Sequence, residues 1–180
     1  NGCDISREPL AAKRQFGFVS DSPDNFLRLK GVEYLNFMGD IYGVPSDLRK
    51  SRITDFAERF EMANALTDRI QSYSHGMRQK IMVMGALLHD PAVWILDEPL
   101  TGLDPKAAFS LKEMMREHAA AGKLVLFSTH VLEVAEKLCD RIAIISSGRI
   151  VFLGTLAALR DQYGEEESLE EIFLKVTQNA

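Results

Sequence analysis

Two short, continuously apolar runs, residues 92–96 and 124–127, constrain the fold of this 180-residue chain more than any other feature. Runs of this length without polar alternation are typical of parallel strands that are buried on both faces. Helical patterns follow them at 105–121 and 131–138, and a third apolar run, 141–145, comes next. The alternation of strand, helix, strand, helix and strand predicts an α/β fold with a parallel sheet.

Upstream of these runs, three amphipathic helical patterns follow one another with no strand-like run between them. Their apolar residues recur at helical spacing, and we predict a helical subdomain over residues 28–90. Its helices are marked by residues 32–42, 53–60 and 76–88. The remaining predicted elements are a strand at 14–19, a hairpin strand at 150–153, helices at 155–163 and 168–177, and a solvated charge run at 165–167.

Composition narrows the class of protein. The formal net charge of −5 argues against nucleic acid as the main partner, because phosphate binding needs a surplus of Lys and Arg. Cys3 and Cys139 lie far apart, in no metal-ligand spacing, and are interpreted as thiols in a reducing compartment. The sequence contains neither an apolar run long enough to span a membrane nor a secretory signal.

Chemistry-bearing residues follow the first apolar run. Asp97 and Glu98 come directly after it, and ligands of open α/β sheets bind at the carboxyl ends of the strands. An Asp there can hold hydrated Mg²⁺, and an adjacent Glu can polarise a water. The alternative is an acidic pair that caps the following turn.

Three further motifs are weak when each is taken alone. Ser74 and Gly76 open a helix and form a potential anion site, or simply a capped helix. Residues 100–105 predict a turn into a helix. His130 ends the sequence Ser128-Thr-His at the close of the second apolar run, where it could contact a phosphate or be structural.

Together, the order and spacing of these motifs resemble the ATP-binding subunits of ABC transporters, over the whole chain. Tyr73–Gln79 resembles the signature sequence Leu-Ser-Gly-Gly-x-x-Gln, Ile95–Pro99 the Walker B strand, Gly102–Asp104 the D-loop and His130 the switch histidine. The tail, residues 154–156 and 168–174, resembles exporter-type (ABC-2-like) subunits. The resemblance implies a partial P-loop NTPase (RecA-like) parallel sheet with an inserted ABC α-helical subdomain.

The resemblance also implies roles for the matching residues and two cofactors, ATP and Mg²⁺. Asp97 holds Mg²⁺, Glu98 orients the attacking water and His130 contacts the γ-phosphate. The residues that contact the ATP of a second ATP-binding subunit are Ser74, Gly76 and Gln79. Asp104 links the two sites, and Asp21 occupies the Q-loop position.

Three departures from the family pattern bear on activity. The phosphate-binding loop, Gly-x-x-x-x-Gly-Lys-Ser/Thr, and the aromatic that stacks on adenine do not occur in the 180 residues, and family order places both before residue 1. We therefore expect an N-terminally truncated fragment that is itself inactive. Ser20-Asp21 stands where the Q-loop glutamine is expected. Asp21 is aligned with it, and a one-residue slip of the loop would align Ser20 instead. His75 replaces the first signature glycine, while Ser74 and Gly76 are kept.

The implied protein is an ATP-hydrolysing motor subunit that powers transport through a separate integral membrane subunit. It would pair with a second ATP-binding subunit, identical or different, in the cytoplasm at the inner face of the cell membrane. The alternatives are a soluble ABC-type ATPase acting on ribosomes or DNA, and a catalytically dead regulatory subunit.

The expected organisation has four parts, and the fragment is expected to self-associate through uncovered sheet. The parts are an ATPase core segment at 1–27 with the Q-loop, the helical signature subdomain at 28–90, the core with Walker B, D-loop, switch histidine and hairpin at 91–164, and a C-terminal helix at 165–180.

Overall fold

The computed structural model describes residues 2–164 and 168–178, which form two compact units, one ending at Ser128 and the other beginning at Thr129. The helices are α1 (Pro9–Lys13), α2 (Gly31–Ile41), α3 (Ser46–Arg59), α4 (His75–Leu87), α5 (Pro105–Ala120), α6 (Leu132–Leu138), α7 (Leu156–Tyr163) and α8 (Leu169–Gln178). The strands are β1 (Phe16–Val19), β2 (Val93–Leu96), β3 (Leu124–Phe127), β4 (Ile142–Ser146) and β5 (Arg149–Gly154). The predicted charge run at 165–167 lies outside the described residues.

The first unit contains a three-stranded parallel sheet in the order β1-β2-β3. The register pairs Val19 with Leu96, and Leu96 with Phe127. All three strands therefore end at one edge. This confirms the strands predicted from the apolar runs 92–96 and 124–127.

Helices α4 and α5 pack on the same face of this sheet. Gly17 lies against the backbone of Ala86 in α4, and Trp94, its neighbour in the register, meets His118 of α5 with ring centroids 5.7 Å apart. The other face stays open, with Phe18 56%, Leu124 57% and Leu126 57% exposed. Within the described residues the sheet is therefore covered on one face only, in keeping with the uncovered sheet expected for these 180 residues.

The described structure between residues 28 and 90 consists of helices and loops, as predicted. Helix α3, however, is longer than its apolar pattern indicates. It begins at Ser46, directly after Pro45, whereas its apolar periodicity starts only at Ile53. The intervening turns are mostly charged and therefore carry no apolar stripe. Periodicity also missed α1 and two three-residue 3-10 helices, Ala63–Ala65 and Ile70–Ser72, which are too short to show a period.

In the second unit, β4 and β5 form an antiparallel hairpin. Ser147 and Gly148 form its turn, with φ of +50° and +76°, as a type I′ turn requires. The inner face of the hairpin packs on α7 and α8 in a core formed by Ile142, Ile144, Phe152, Leu159, Leu169, Ile172 and Val176. The prediction that 141–145 joins the parallel sheet is wrong, because within the described chain β4 pairs only with β5.

Within residues 2–164 and 168–178, no helix combines the length and apolar character needed to cross a membrane.

Candidate functional site

The candidate site lies where the parallel strands of the first unit end. Asp97 follows β2, and its backbone N–H donates to the carbonyl of Val19 at 2.9 Å. Ser128 follows β3, and its N–H donates to the carbonyl of Leu96 at 3.0 Å. The ladder therefore carries Asp97 and Ser128 side by side at the edge where open α/β sheets bind ligands.

The hydroxyl of Ser128 contacts both members of the acidic pair. It donates to Oδ1 of Asp97 and accepts the backbone N–H of Glu98 at 3.1 Å. Sequence reasoning placed Ser128 in a motif but gave it no role. The available signal was that residues 97 and 128 each follow an apolar run directly, so neighbouring parallel strands bring them together.

Glu98 has a backbone conformation that is uncommon for a residue with a side chain. Its φ is +43°, in the left-handed region, where such strain costs about 1–3 kcal/mol. Its carbonyl accepts the N–H of Thr101 at 3.2 Å, so the strained residue begins the turn into the following loop. Strain of this kind is concentrated at active sites, which supports a functional role for Glu98.

The acidic pair fits a magnesium ion. Among residues 2–164 and 168–178, no group of three or more His, Cys, Asp or Glu side chains could form a protein-only metal cage. Mg²⁺ is instead held by one or two carboxylates together with waters and phosphate oxygens. Asp97, oriented by a hydroxyl at the sheet edge, suits a cation that binds with a phosphate ligand.

The predicted phosphate-contacting residues open α4. Ser74 is exposed, and its Oγ accepts the N–H of Met77 at 3.3 Å, which is an N-cap. Gly76 lies in the first turn, where backbone amides and the helix dipole attract anions. Gln79 is different: it is only 1% exposed, and its side-chain amide has no hydrogen-bond partner among the described residues.

The start of α4 packs against the loop at 101–104 of the same unit. A Cβ atom at Gly76 would lie 2.7 Å from the carbonyl oxygen of Gly102, so no side chain fits there. Gly102 has a φ of +73°, and a Cβ atom on it would collide with the imidazole of His75. The histidine that departs from the signature pattern therefore lies against the predicted D-loop.

Asp104 ends this loop and caps α5. Its Oδ1 accepts the N–H of Ala107 at 2.9 Å, and its Oδ2 accepts a hydrogen bond from Nζ of Lys80 at 2.9 Å. The Ala107 N–H and then the Lys80 ammonium hold the pKa of this carboxyl below its usual range. The loop is thus attached to α4 and α5 at one residue.

The two remaining predicted residues lie in different units. Asp21 is exposed, two residues beyond β1 at the sheet edge that carries Asp97, and its Oδ1 accepts the hydroxyl of Ser20 at 3.1 Å. His130 is exposed in the second unit, where Oγ1 of Thr129 accepts the N–H of Val131 at 3.1 Å. The structure therefore brings Asp97, Glu98 and Ser128 into direct contact, with Asp21 at the same edge.

Comparison with protein families matches residues 2–101 to the ABC transporter model. The chain belongs to the ABC transporter family. One curated relative, the ABC-type transporter ATP-binding protein EcsA of Bacillus subtilis (strain 168), is 35% identical over 178 residues, which are 98% of this chain and 72% of EcsA. The linearmycin resistance ATP-binding protein LnrL of the same organism is 31% identical over 166 residues, 92% of this chain and 53% of LnrL.

A solved structure described as the ATP binding subunit of an ABC transporter superposes with a TM-score of 0.94 at 34% identity. The match covers 98% of this chain and 74% of that one. These findings confirm the predicted ABC transporter ATP-binding domain and its α/β P-loop NTPase fold.

Proposed function

We propose that this chain forms part of an ATP-hydrolysing motor subunit that powers an ABC transporter through a separate membrane subunit. The observation that carries the proposal is the acidic pair at the end of β2, with Asp97 oriented by Ser128 and Glu98 held in a strained conformation. Asp97 would hold Mg²⁺, which supplies charge neutralisation for the phosphates of ATP. Glu98 would accept a proton from the attacking water, and His130 would contact the terminal phosphate.

A second ATP-binding subunit, identical or different, belongs to the same proposal. The capped start of α4 presents Ser74 and Gly76 as an anion site, suited to the ATP held by that subunit. Gln79 is assigned to the same contact, and its buried side chain requires a local rearrangement before it reaches a ligand. Asp104 would link the two nucleotide sites.

The membrane subunit would dock on the region from Asp21 through the helical segment at 28–90. This region carries an aromatic cluster in which the ring of Phe26 lies 5.2 Å from that of Tyr34 and 5.7 Å from that of Phe37. Phe26, Phe37 and Ile41 are exposed, as a site for an apolar partner segment requires. Such docking would place the subunit in the cytoplasm at the inner face of the membrane, and the linearmycin resistance assigned to LnrL supports an export direction.

Docking is tested with Phe37→Asp and Ile41→Asp in the full-length protein. Both variants should lose co-purification with the membrane fraction while keeping their urea unfolding midpoints. Phe109→Asp is the matched control, because Phe109 is also an exposed aromatic but lies on α5. Co-fractionation of the wild type with ribosomes or DNA instead would favour the soluble class of ABC-type ATPase.

Hydrolysis is tested by Glu98→Gln in the full-length protein. Turnover should fall by roughly 10²–10⁴, as for a positioned acid–base group, while ATP binding persists because Asp97 remains. Glu58→Gln on α3, an exposed glutamate, is the control. Near-normal turnover by Glu98→Gln would make Glu98 structural, and an inactive wild type would indicate the regulatory subunit.

The 180 residues alone are proposed to be inactive, because they contain no phosphate-binding loop motif and phosphoryl transfer depends on positioning and charge stabilisation. Mg²⁺-dependent turnover by this chain alone, abolished by Glu98→Gln, would contradict this.

Asp21 makes the nucleotide site more anionic than a glutamine would. A carboxylate there favours the metal and repels the triphosphate, and the two effects oppose each other at an exposed position. A Mg²⁺ titration of full-length ATPase activity, compared between Asp21→Gln and wild type, decides which of the two effects is larger. Identical curves would show that Asp21 does not face the nucleotide.

A further inference from the structure

We propose that Ser128 is a positioning residue for hydrolysis, holding the metal-binding carboxylate and the catalytic glutamate in one fixed relationship. This rests on the proposed function. The observation is the pair of hydrogen bonds at the end of the sheet: the Ser128 hydroxyl donates to Oδ1 of Asp97 and accepts the N–H of Glu98 at 3.1 Å.

A hydroxyl suits this position because it is one donor and two acceptors at once. A methyl group at position 128 could neither donate to Asp97 nor accept from Glu98, and a carbonyl oxygen there could only accept. The donated bond fixes the rotation of the Asp97 carboxylate, as bonds to metal-binding carboxylates commonly do. The accepted bond holds the peptide that carries Glu98.

The second bond matters because of the conformation that it restrains. Glu98 has a φ of +43°, a conformation that persists only when surrounding contacts hold it. Its carbonyl is restrained by Thr101, and its N–H is restrained by Ser128. Losing the hydroxyl would therefore loosen Asp97 and allow the Glu98 backbone to relax toward a commoner conformation.

The register explains how the contact reaches across 31 residues of sequence. Leu96 pairs with Phe127 in adjacent parallel strands, so the next residues, 97 and 128, emerge side by side. The contact thus depends on the pairing of β2 with β3 rather than on the loops beyond them. A rigid origin of this kind gives a positioning residue its precision.

The test compares Ser128→Ala, Ser128→Thr and the control Ser51→Ala in the full-length protein. Ser51 is an exposed serine on α3. Ser128→Ala should lower kcat by about 10- to 100-fold and raise the Mg²⁺ concentration for half-maximal turnover, the range found when such supporting bonds are removed. KM for ATP should change little. Ser128→Thr keeps a hydroxyl and should restore most of kcat and most of the Mg²⁺ dependence.

A second readout needs neither nucleotide nor turnover. The Glu98 amide, observed by NMR in the nucleotide-free protein, should exchange with solvent at least about tenfold faster in Ser128→Ala. Ser128→Thr and Ser51→Ala should keep the wild-type exchange rate. If Ser128→Ala fails to fold, Ser128→Cys provides a side chain of similar size whose thiol is a weak donor.

The outcomes separate the two proposals. Wild-type kcat and wild-type Glu98 exchange in Ser128→Ala, with Glu98→Gln inactive, would overturn the role of Ser128 alone. The role of Ser128 would also be overturned if Ser128→Thr lost as much turnover as Ser128→Ala while its Glu98 amide stayed protected from exchange. A wild-type protein without Mg²⁺-dependent turnover would overturn the proposed function, and the role of Ser128 with it.

Discussion

Lys80 of α4 and Asp104 at the start of α5 form an ion pair with Nζ and Oδ2 2.9 Å apart. The other carboxylate oxygen of Asp104 is the N-cap of α5. One side chain therefore attaches the predicted D-loop to the helix that carries the predicted signature sequence and also begins the next helix.

Substitutions at these two positions should separate the cap from the ion pair. Asp104→Ala removes both interactions and should lower the urea midpoint most. Lys80→Met should lower it less, because the Asp104 carboxylate is exposed and a pair with an exposed partner contributes little. Asp104→Asn should stay near wild type, because an amide oxygen still caps. Lys106→Met, which removes an exposed pair with Glu61, is the control, and an equal effect of Lys80→Met and Asp104→Ala would contradict this order.

The contact between His75 and Gly102 should appear as energetic coupling. Gly102→Ala should cost about 1–2 kcal/mol from its left-handed backbone alone, and more because the new methyl meets His75. In a His75→Gly background, only the backbone part should remain. Urea unfolding of the two single variants and the double variant measures the difference, expected at about 0.5–3 kcal/mol, and additive effects would show that the ring moves aside freely.

The elements that sequence predicted well are those whose signals are local. The runs at 92–96 and 124–127 form β2 and β3 because short apolar runs with β-branched and aromatic residues favour strands. Ser74 and Asp104 cap α4 and α5, since a cap is formed with residues two or three positions away. Asp97 and Glu98 follow β2 directly, so identifying the strand was enough to place them.

The features that sequence missed depend on contacts between distant residues. The bond from Ser128 to Asp97 requires knowledge of which strands are neighbours. The contact between Gly76 and Gly102 requires knowledge of how α4 meets a loop. The run 141–145 was predicted in the parallel sheet, but it forms β4 of the hairpin. An apolar strand has the same sequence pattern in either setting, and here β4 is covered by its hairpin partner and two helices.

His89 makes stability depend on pH. Its ring stacks on Tyr42 with centroids 3.6 Å apart, and burial, with a smaller effect of Arg52, lowers its pKa from 6.5 to about 4. The unfolded chain therefore binds a proton more readily than the folded chain between these values. The contribution of neutral His89 to the free energy of unfolding should be fully present above pH 6.5 and should be lost as the pH falls toward 4.

His89→Phe keeps a stacked ring. It should reduce the slope of the urea unfolding midpoint against pH, measured between pH 7.5 and pH 4.5. Some slope should remain, because burial also lowers the pKa of His118. The control is Ser51→Ala, which removes an exposed side chain of α3 that does not titrate and should keep the wild-type slope. An unaltered slope in His89→Phe would assign the pH dependence to other groups.

The open face of the parallel sheet should make this 180-residue chain self-associate. Phe18, Leu124 and Leu126 are exposed together on that face. At about 25 cal/mol per Å², covering a few hundred Å² of apolar surface is worth several kcal/mol. Sedimentation velocity at micromolar concentration should show concentration-dependent species.

The double variant Leu124→Glu, Leu126→Glu should shift these species toward monomer, whereas Phe109→Glu on α5 should not. A single monomeric species of the wild-type chain at all concentrations, with no binding of a hydrophobic dye, would show that the face stays uncovered without attracting a second copy.

The left-handed backbone of Glu98 has a consequence for how this subunit can evolve. Glycine and asparagine adopt that conformation more readily than glutamate does, so their substitution at position 98 relieves strain while removing the carboxylate. Loss of the proposed catalytic group is then favourable for folding. A duplicated gene copy released from selection for turnover would drift toward a silent, nucleotide-binding paralogue without passing through a less stable intermediate.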